Sequence, residues 1–297
     1  MDRLDALALF VAVADCGGFV AAARKAGRSP AAVSRAVAAL EERLGQRLFN
    51  RTTRALSLTE AGELALARAR RLLGDYDELA DALQGGGAPR GVLTLTAPVM
   101  FGRLHIMPIV RDFLRDFPGM DVHLLLFDRI LSLVDEGVDV GLRIGHLPDS
   151  SLIALRVGAV RRVLVAAPAY LAAAGTPRKP EDLAGHSFIS TLGVVATPSH
   201  WSLGAEEDKA VRVRPRLTVN SVDAALDAAM SGLGVVRLFS YQVAEALAQD
   251  RLVRLLPDDE PPAVPIQLVR PPGRAPRKAA LFIEAAAGVL RAKFGSA

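Results

Sequence analysis

The chain has 297 residues, 51% of them hydrophobic and 23% charged, with a formal net charge of +4. That balance belongs to a well-cored globular protein of two or three structural units and excludes a disordered chain. A single cysteine, Cys16, excludes an internal disulfide and any cysteine-based zinc site. Asp2 and Asp5 stand where a secretory leader would be basic. The longest charge-free stretch, Leu183–Ala205, is interrupted by His, Ser, Thr and Pro, so it does not read as a membrane span. A cytoplasmic protein with no membrane partner is expected.

The first helix is predicted from Arg3 to Asp15, with Leu4, Leu7, Phe10, Val11 and Ala14 on its apolar face. An alanine-rich segment from Phe19 to Ala26 then ends at Gly27, a residue suited to the left-handed conformation of a helix stop. Ser29-Pro30 is a helix-start pair, a side-chain cap followed by proline at the first helical position. The next helix repeats Val33, Val37, Leu40 and Leu44 at three- and four-residue spacing, which predicts one buried face. Ala31, Ala32, Ser34 and Arg35 fall mostly off that face, near the N-terminal end. Small and polar residues there suit a helix–turn–helix whose second helix enters the DNA major groove. Residues 47–57 read as a short hairpin, a wing with Arg51, Thr52, Thr53 and Arg54 near its tip. From Arg24 to Arg54 eight basic residues face only Glu41 and Glu42, so the positive charge is concentrated in this module. That is the footprint of polyanion binding, and double-stranded DNA is the expected partner. The DNA-binding candidates are Ser29, Pro30, Ala31, Ala32, Ser34, Arg35, Arg51, Thr52, Thr53 and Arg54.

Thr59 caps a long helix in which Ala65, Ala69, Leu72, Tyr76, Leu79 and Leu83 alternate at spacings of four and three. A seam that narrow suggests pairing with a second copy through Leu72, Tyr76, Leu79 and Leu83. Packing against its own domain remains the competing reading. Gly85-Gly86-Gly87 and Ala88-Pro89 mark a hinge. The expected domains are 1–58 for DNA binding, 59–90 for linker helix and hinge, and 91–297 for effector binding.

From Val92 onward strands and helices alternate. Strands are predicted at 92–97, 121–127, 139–144, 162–167 and 234–238, with helices around 104–117, 130–136, 221–231, 241–248 and 278–293. The alternation implies parallel strands in two α/β lobes. Lobe I is placed at 91–160 and 268–297, lobe II at 161–267.

The run AAARKAGRSPAAVSRAVAALEERLGQRLFNRTTRALSLTEAGE resembles the winged helix–turn–helix of LysR-type transcriptional regulators. The segments GVLTLTAPVMFG, DRILSLVDEGVDVGLRIG and SGLGVV extend the likeness, in the family's order, over nearly the whole chain. The resemblance implies an α/β chain with an N-terminal all-α winged helix–turn–helix domain and a long linker helix. Its C-terminal two-lobed α/β domain would be like periplasmic solute-binding proteins, with a ligand cleft between the lobes. It further implies a small-molecule effector, a homodimer or a homotetramer built as a dimer of dimers, and RNA polymerase as a partner in an activator.

No nucleophile elbow, Walker loop or HExxH segment occurs, and the five histidines are scattered. No enzyme activity, cofactor or metal ion is therefore expected. Effector-binding candidates come from the loop Pro98, Val99, Met100, Phe101 and Gly102, from Arg143 and Thr191, and from Asn220, Ser221 and Asp223 at a helix start. For Arg143 a structural ion pair with Asp139 or Asp149 is the rival reading. The apolar 99–101 loop argues for a polar or weakly anionic effector over a multiply charged one. The alternative function is a small-molecule-binding α/β protein, solute-binding-like, without specific DNA recognition.

Overall fold

The structure, a computed structural model, describes residues 2–51, 56–83, 88–129, 131–147, 151–191, 200–207 and 209–295, with backbone alone at 51, 77–78 and 80–83. Helices α1 (Arg3–Cys16), α2 (Phe19–Lys25) and α3 (Pro30–Leu44) open the chain. Gly27 takes φ +62° between α2 and α3, and the Ser29 hydroxyl accepts the Ala32 N–H at 3.2 Å. The α3 face differs at one end: Val33, Ala36, Val37 and Leu40 are buried, whereas Leu44 is half exposed. In α1 the buried face is Ala6, Leu9, Phe10 and Val13, with Leu7, Val11 and Ala14 packed at its edge. That helix is apolar on nearly every side, so spacing alone could not select the face.

Strands β1 (Phe49–Arg51) and β2 (Leu56–Leu58) pair antiparallel as the predicted wing. Phe49 closes the small core, its ring edge-on to Phe10 at 5.4 Å and to Phe19 at 5.8 Å. Helix α4 (Glu60–Leu83) follows. Thr59 Oγ1 accepts the Gly62 N–H at 2.9 Å and donates to the Arg47 carbonyl at 2.6 Å, fastening the helix start to the wing. Gly62 is required here, because a Cβ would lie 2.0 Å from the Leu48 carbonyl oxygen.

The C-terminal part holds two five-stranded sheets. The first has the order β4 (Met120–Leu126), β3 (Gly91–Ala97), β5 (Val140–Ile144), β14 (Val264–Arg270) and β6 (Ile153–Val160). The second has the order β11 (Pro215–Val219), β8 (Phe188–Thr191), β12 (Val235–Phe239), β7 (Arg162–Ala166) and β13 (Val253–Leu255). In each sheet four strands run in one direction, and one antiparallel strand from a lobe crossing is inserted among them, β14 between β5 and β6 and β7 between β12 and β13. The sheets are therefore mixed, not wholly parallel as the alternation implied. Strand β14 pairs with β5 and β6 from Val264 onward, so the return to lobe I precedes residue 264, ahead of the expected start at 268.

Lobe I packs around β3, β5 and β14 under α6 (Met107–Asp116) and α10 (Arg277–Phe294), with Phe113 edge-on to Phe282 at 5.4 Å. The lobe II sheet is covered on both faces. Helices α8 (Val222–Met230) and α9 (Ser240–Ala248) lie on one face. On the other lie α7 (Pro168–Ala174) and a hairpin of β9 (His200–Leu203) and β10 (Lys209–Arg212) that buries Trp201. Each fully buried Val, Leu or Phe in these cores contributes about 1.5–3 kcal/mol. The helix expected at 130–136 is instead a turn over 133–137 ending at Gly137, φ +64°. Helix α6 is preceded by α5 (Val99–Phe101) and a π-helical turn, Gly102–Ile106.

Candidate functional site

Two surfaces collect the candidate residues. On the first, burying Val33, Ala36, Val37 and Leu40 leaves Ser29, Pro30, Ala31 and Arg35 exposed, with Ala32 and Ser34 half-buried beside them. Ser29 and Pro30 serve the helix as cap and first residue. Arg24, Lys25, Arg28 and Arg47 are also exposed. The wing is held to α3 by Glu41, whose Oε1 accepts the N–H groups of Leu48 at 2.8 Å and Phe49 at 3.2 Å. Arg51 closes β1, while Thr52, Thr53 and Arg54 lie outside the described residues. On α4, Leu72, Tyr76 and Leu79 are each more than half exposed, whereas Ala69 packs inward. Leu83 lies outside the described side chains.

The second surface is a cleft of about 310 Å³ between the lobes. Pro98, Arg143, Thr191 and Asn220 line it as expected. The other candidates do not. Met100 and Phe101 are buried in the lobe I core, and Val99 is occupied through its N–H, which donates to Asp128 at 3.0 Å. Gly102 presses on β4, where a Cβ would lie 2.2 Å from the Leu126 side chain. Ser221 caps α8 by accepting the Ala224 N–H at 3.2 Å, and Asp223 pairs with Arg103 at 3.2 Å. The loop misled because one helical turn, α5, buries Met100 and Phe101 and leaves Val99 exposed outside the cleft lining. Thr96, too, faces inward and is 2% exposed.

Arginines dominate the lining. Arg143, 8% exposed, donates to the Leu131 carbonyl at 2.9 Å, and burial pushes its pKa below the usual range. Asp139 is not its counterion: that carboxylate takes Lys278 at 3.2 Å and the Thr94 N–H at 2.8 Å, and Asp149 lies outside the described residues. Sequence reasoning missed Arg237 and Arg162. Arg237 stacks over the Trp201 ring at 5.0 Å and donates to the Ser202 carbonyl at 3.4 Å. Burial, and then the positive charge of Arg162, push it down to about 10. Arg162 sits over the Phe239 ring at 5.6 Å. Phe239 stacks with Tyr241 at 6.1 Å, and Gln242 donates to the Tyr241 hydroxyl at 3.1 Å, whose pKa burial raises. The only signal for Arg237 was an arginine inside the otherwise apolar run VVRLF. Among the described residues no three His, Cys, Asp or Glu side chains gather as a metal site requires. No single helix among them is long and apolar enough to cross a membrane.

A winged helix–turn–helix joined to a two-lobed α/β domain with a polar cleft defines a DNA-binding regulator with an attached small-molecule sensor. Residues 4–63 match the bacterial regulatory helix-turn-helix protein, lysR family, and residues 86–291 match the LysR substrate binding domain. The chain belongs to the LysR family of transcriptional regulators. It is 38% identical over 285 residues to the HTH-type transcriptional regulator PtxR of Pseudomonas aeruginosa, covering 95% of this chain and 91% of that one. It is 37% identical over 265 residues to the probable HTH-type transcriptional regulator LtrA of Klebsiella pneumoniae, covering 88% and 84%. The full-length structure of the Vibrio cholerae virulence activator AphB superposes with a TM-score of 0.62 at 28% identity, covering 97% and 99%. These relatives are transcriptional regulators and not enzymes, and the solute-binding alternative without DNA recognition finds no support.

Proposed function

We propose that the exposed N-terminal turns of α3, from Ala31 to Arg35, enter the major groove of an operator while the wing residues Arg51 to Arg54 lie on the backbone or minor groove. The observation that carries this reading is the division of α3, with Val33, Val37 and Leu40 buried and Ala31 and Arg35 exposed, in a module whose Arg24, Lys25, Arg28 and Arg47 are exposed too. Leu72, Tyr76, Leu79 and Leu83 join two such modules, because a two-fold operator is read by a two-fold dimer. The protein works in the cytoplasm, as a dimer or a dimer of dimers, and an activating role would add RNA polymerase as a partner.

The cleft lined by Arg143, Thr191 and Asn220 holds the effector. Effector and operator act on one equilibrium: the effector favours one arrangement of the lobes, and the operator favours one of those arrangements. Selection of bound sequences from a random duplex pool by the purified protein is the test. A recovered consensus whose affinity changes with an effector supports the reading. Retention of no duplex at low salt would overturn it.

A further inference from the structure

Four arginines line the interlobe cleft: Arg129 is exposed over the Phe127 ring at 5.2 Å, and the distribution of the other three constrains what fills the cleft. Arg143 stands at the end of β5 in lobe I, while Arg162 and Arg237 stand on the neighbouring strands β7 and β12 of lobe II. Among the described residues, none of the three has a carboxylate within ion-pair distance. The segment 192–199, which follows the cleft residue Thr191, contains no acidic residue in its sequence. Asp128, the acidic residue of the lining, already accepts the Val99 N–H. Among the described residues only Glu207 offsets this positive charge from a distance, at Arg237, while Arg162 opposes it; burying cations without an ion-pair partner is costly. A fold accepts such a cost where a ligand supplies the missing charge.

Each arginine is held by groups that leave donors over. Arg143 has one bond, to Leu131 O; Arg237 rests on Trp201 and Ser202 O; Arg162 lies on the Phe239 ring. A planar guanidinium fixed in this way presents its remaining N–H pairs to a carboxylate in bidentate geometry. The lining also carries apolar surface, from Pro98, Ile144, Val222 and Leu238 with the Phe239–Tyr241 stack.

We infer that the effector is a small organic dicarboxylate that spans the lobes, one carboxylate on Arg143 and the other on Arg162 and Arg237, with its hydrocarbon body on the apolar walls. This rests on the cleft being the effector site. It replaces the weakly charged ligand expected from the 99–101 loop, since those side chains do not line the cleft. A two-ended anion also gives the lobes a reason to close, because each lobe binds one end.

The test uses the full-length protein and thermal shift with straight-chain dicarboxylates from succinate to adipate, plus phthalate and terephthalate. Each is compared with its monomethyl ester, and phenyl phosphate serves as a dianion with one charged end. At least one dicarboxylate should raise Tm, with its monoester binding about 10- to 100-fold more weakly. Arg237→Gln and Arg162→Gln should each reduce the affinity for that dicarboxylate by a similar factor. Arg162 is only half-buried, so its variant keeps the test if Arg237→Gln fails to fold. The proposal falls if no dicarboxylate shifts Tm, if a monoester or phenyl phosphate binds as well, or if the shift survives in the arginine variants. A dicarboxylate that binds through these arginines and leaves operator affinity unchanged would uphold the dicarboxylate site and overturn the sensor reading instead.

Discussion

Glu41 on α3 accepts the backbone N–H of Leu48 at 2.8 Å, so this helix and the wing share one carboxylate. The same oxygen takes the Phe49 N–H at 3.2 Å, and Leu48 and Phe49 are 1% and 3% exposed. Glu41→Ala leaves two buried donors unpaired and should cost about 1–3 kcal/mol of the DNA-binding module's stability. Glu41→Gln keeps an acceptor and should unfold close to wild type. Melting of both variants, followed at the N-terminal domain, separates the anchoring role from the charge. Equal melting of Glu41→Ala and wild type would mean the wing is held by its core alone.

Contacts to bases and contacts to phosphates leave different marks. Arg35 is exposed on α3, and Arg35→Ala should relax sequence preference, at about 1–3 kcal/mol if it reads a guanine. Arg54→Ala should weaken every duplex alike and lower the log–log salt slope by about one unit if it touches a phosphate. Titrations of operator and scrambled duplexes over a salt series check both. Two variants indistinguishable from wild type would remove this assignment of helix and wing.

Leu72, Tyr76 and Leu79 expose more than half of their surface along one side of α4. Such a stripe on an otherwise polar helix is the kind of surface a second copy covers. Leu79→Arg should split the dimer or aggregate the protein, and operator affinity should fall with it. Light scattering that finds an intact oligomer with unaltered affinity would mean that another surface joins the copies.

The winged module was legible because local signals agree along it: Gly27 in the left-handed region, Ser29 and Thr59 as caps, and one apolar face on α3. Lobe I and lobe II were legible as alternation, but strand direction was not, since β7 and β14 enter each sheet from the other lobe. The cleft was half legible. Pro98, Arg143, Thr191 and Asn220 lie at strand ends or beside them, where open α/β folds bind ligands. Arg162 and Arg237 sit in strands whose neighbours are apolar, and only the sheet pairing brings them together. Met100 and Phe101 failed as candidates because sequence cannot say which way a single helical turn points its side chains.

His105 supplies the pH dependence. Lys293 Nζ lies 3.2 Å from its Nδ1 and, as a donor, makes that nitrogen the acceptor, so the ring proton sits on Nε2, buried with no partner. Phe101, Phe294 and Tyr241 surround the ring with centroids at 4.7, 5.0 and 5.6 Å. Burial first, and the Lys293 charge second, lower its pKa from 6.5 to about 4. Between those values the unfolded chain binds the proton and the folded chain does not, so stability is full above pH 6.5 and falls as the pH drops toward 4. His105→Leu removes the group from both states and should lose less stability between pH 7 and pH 5 than wild type does. The carboxylates titrate in both proteins and cancel in the comparison. Urea unfolding at the two pH values gives the answer. An equal loss in the two proteins would show that the folded state protonates His105 as readily as the unfolded chain.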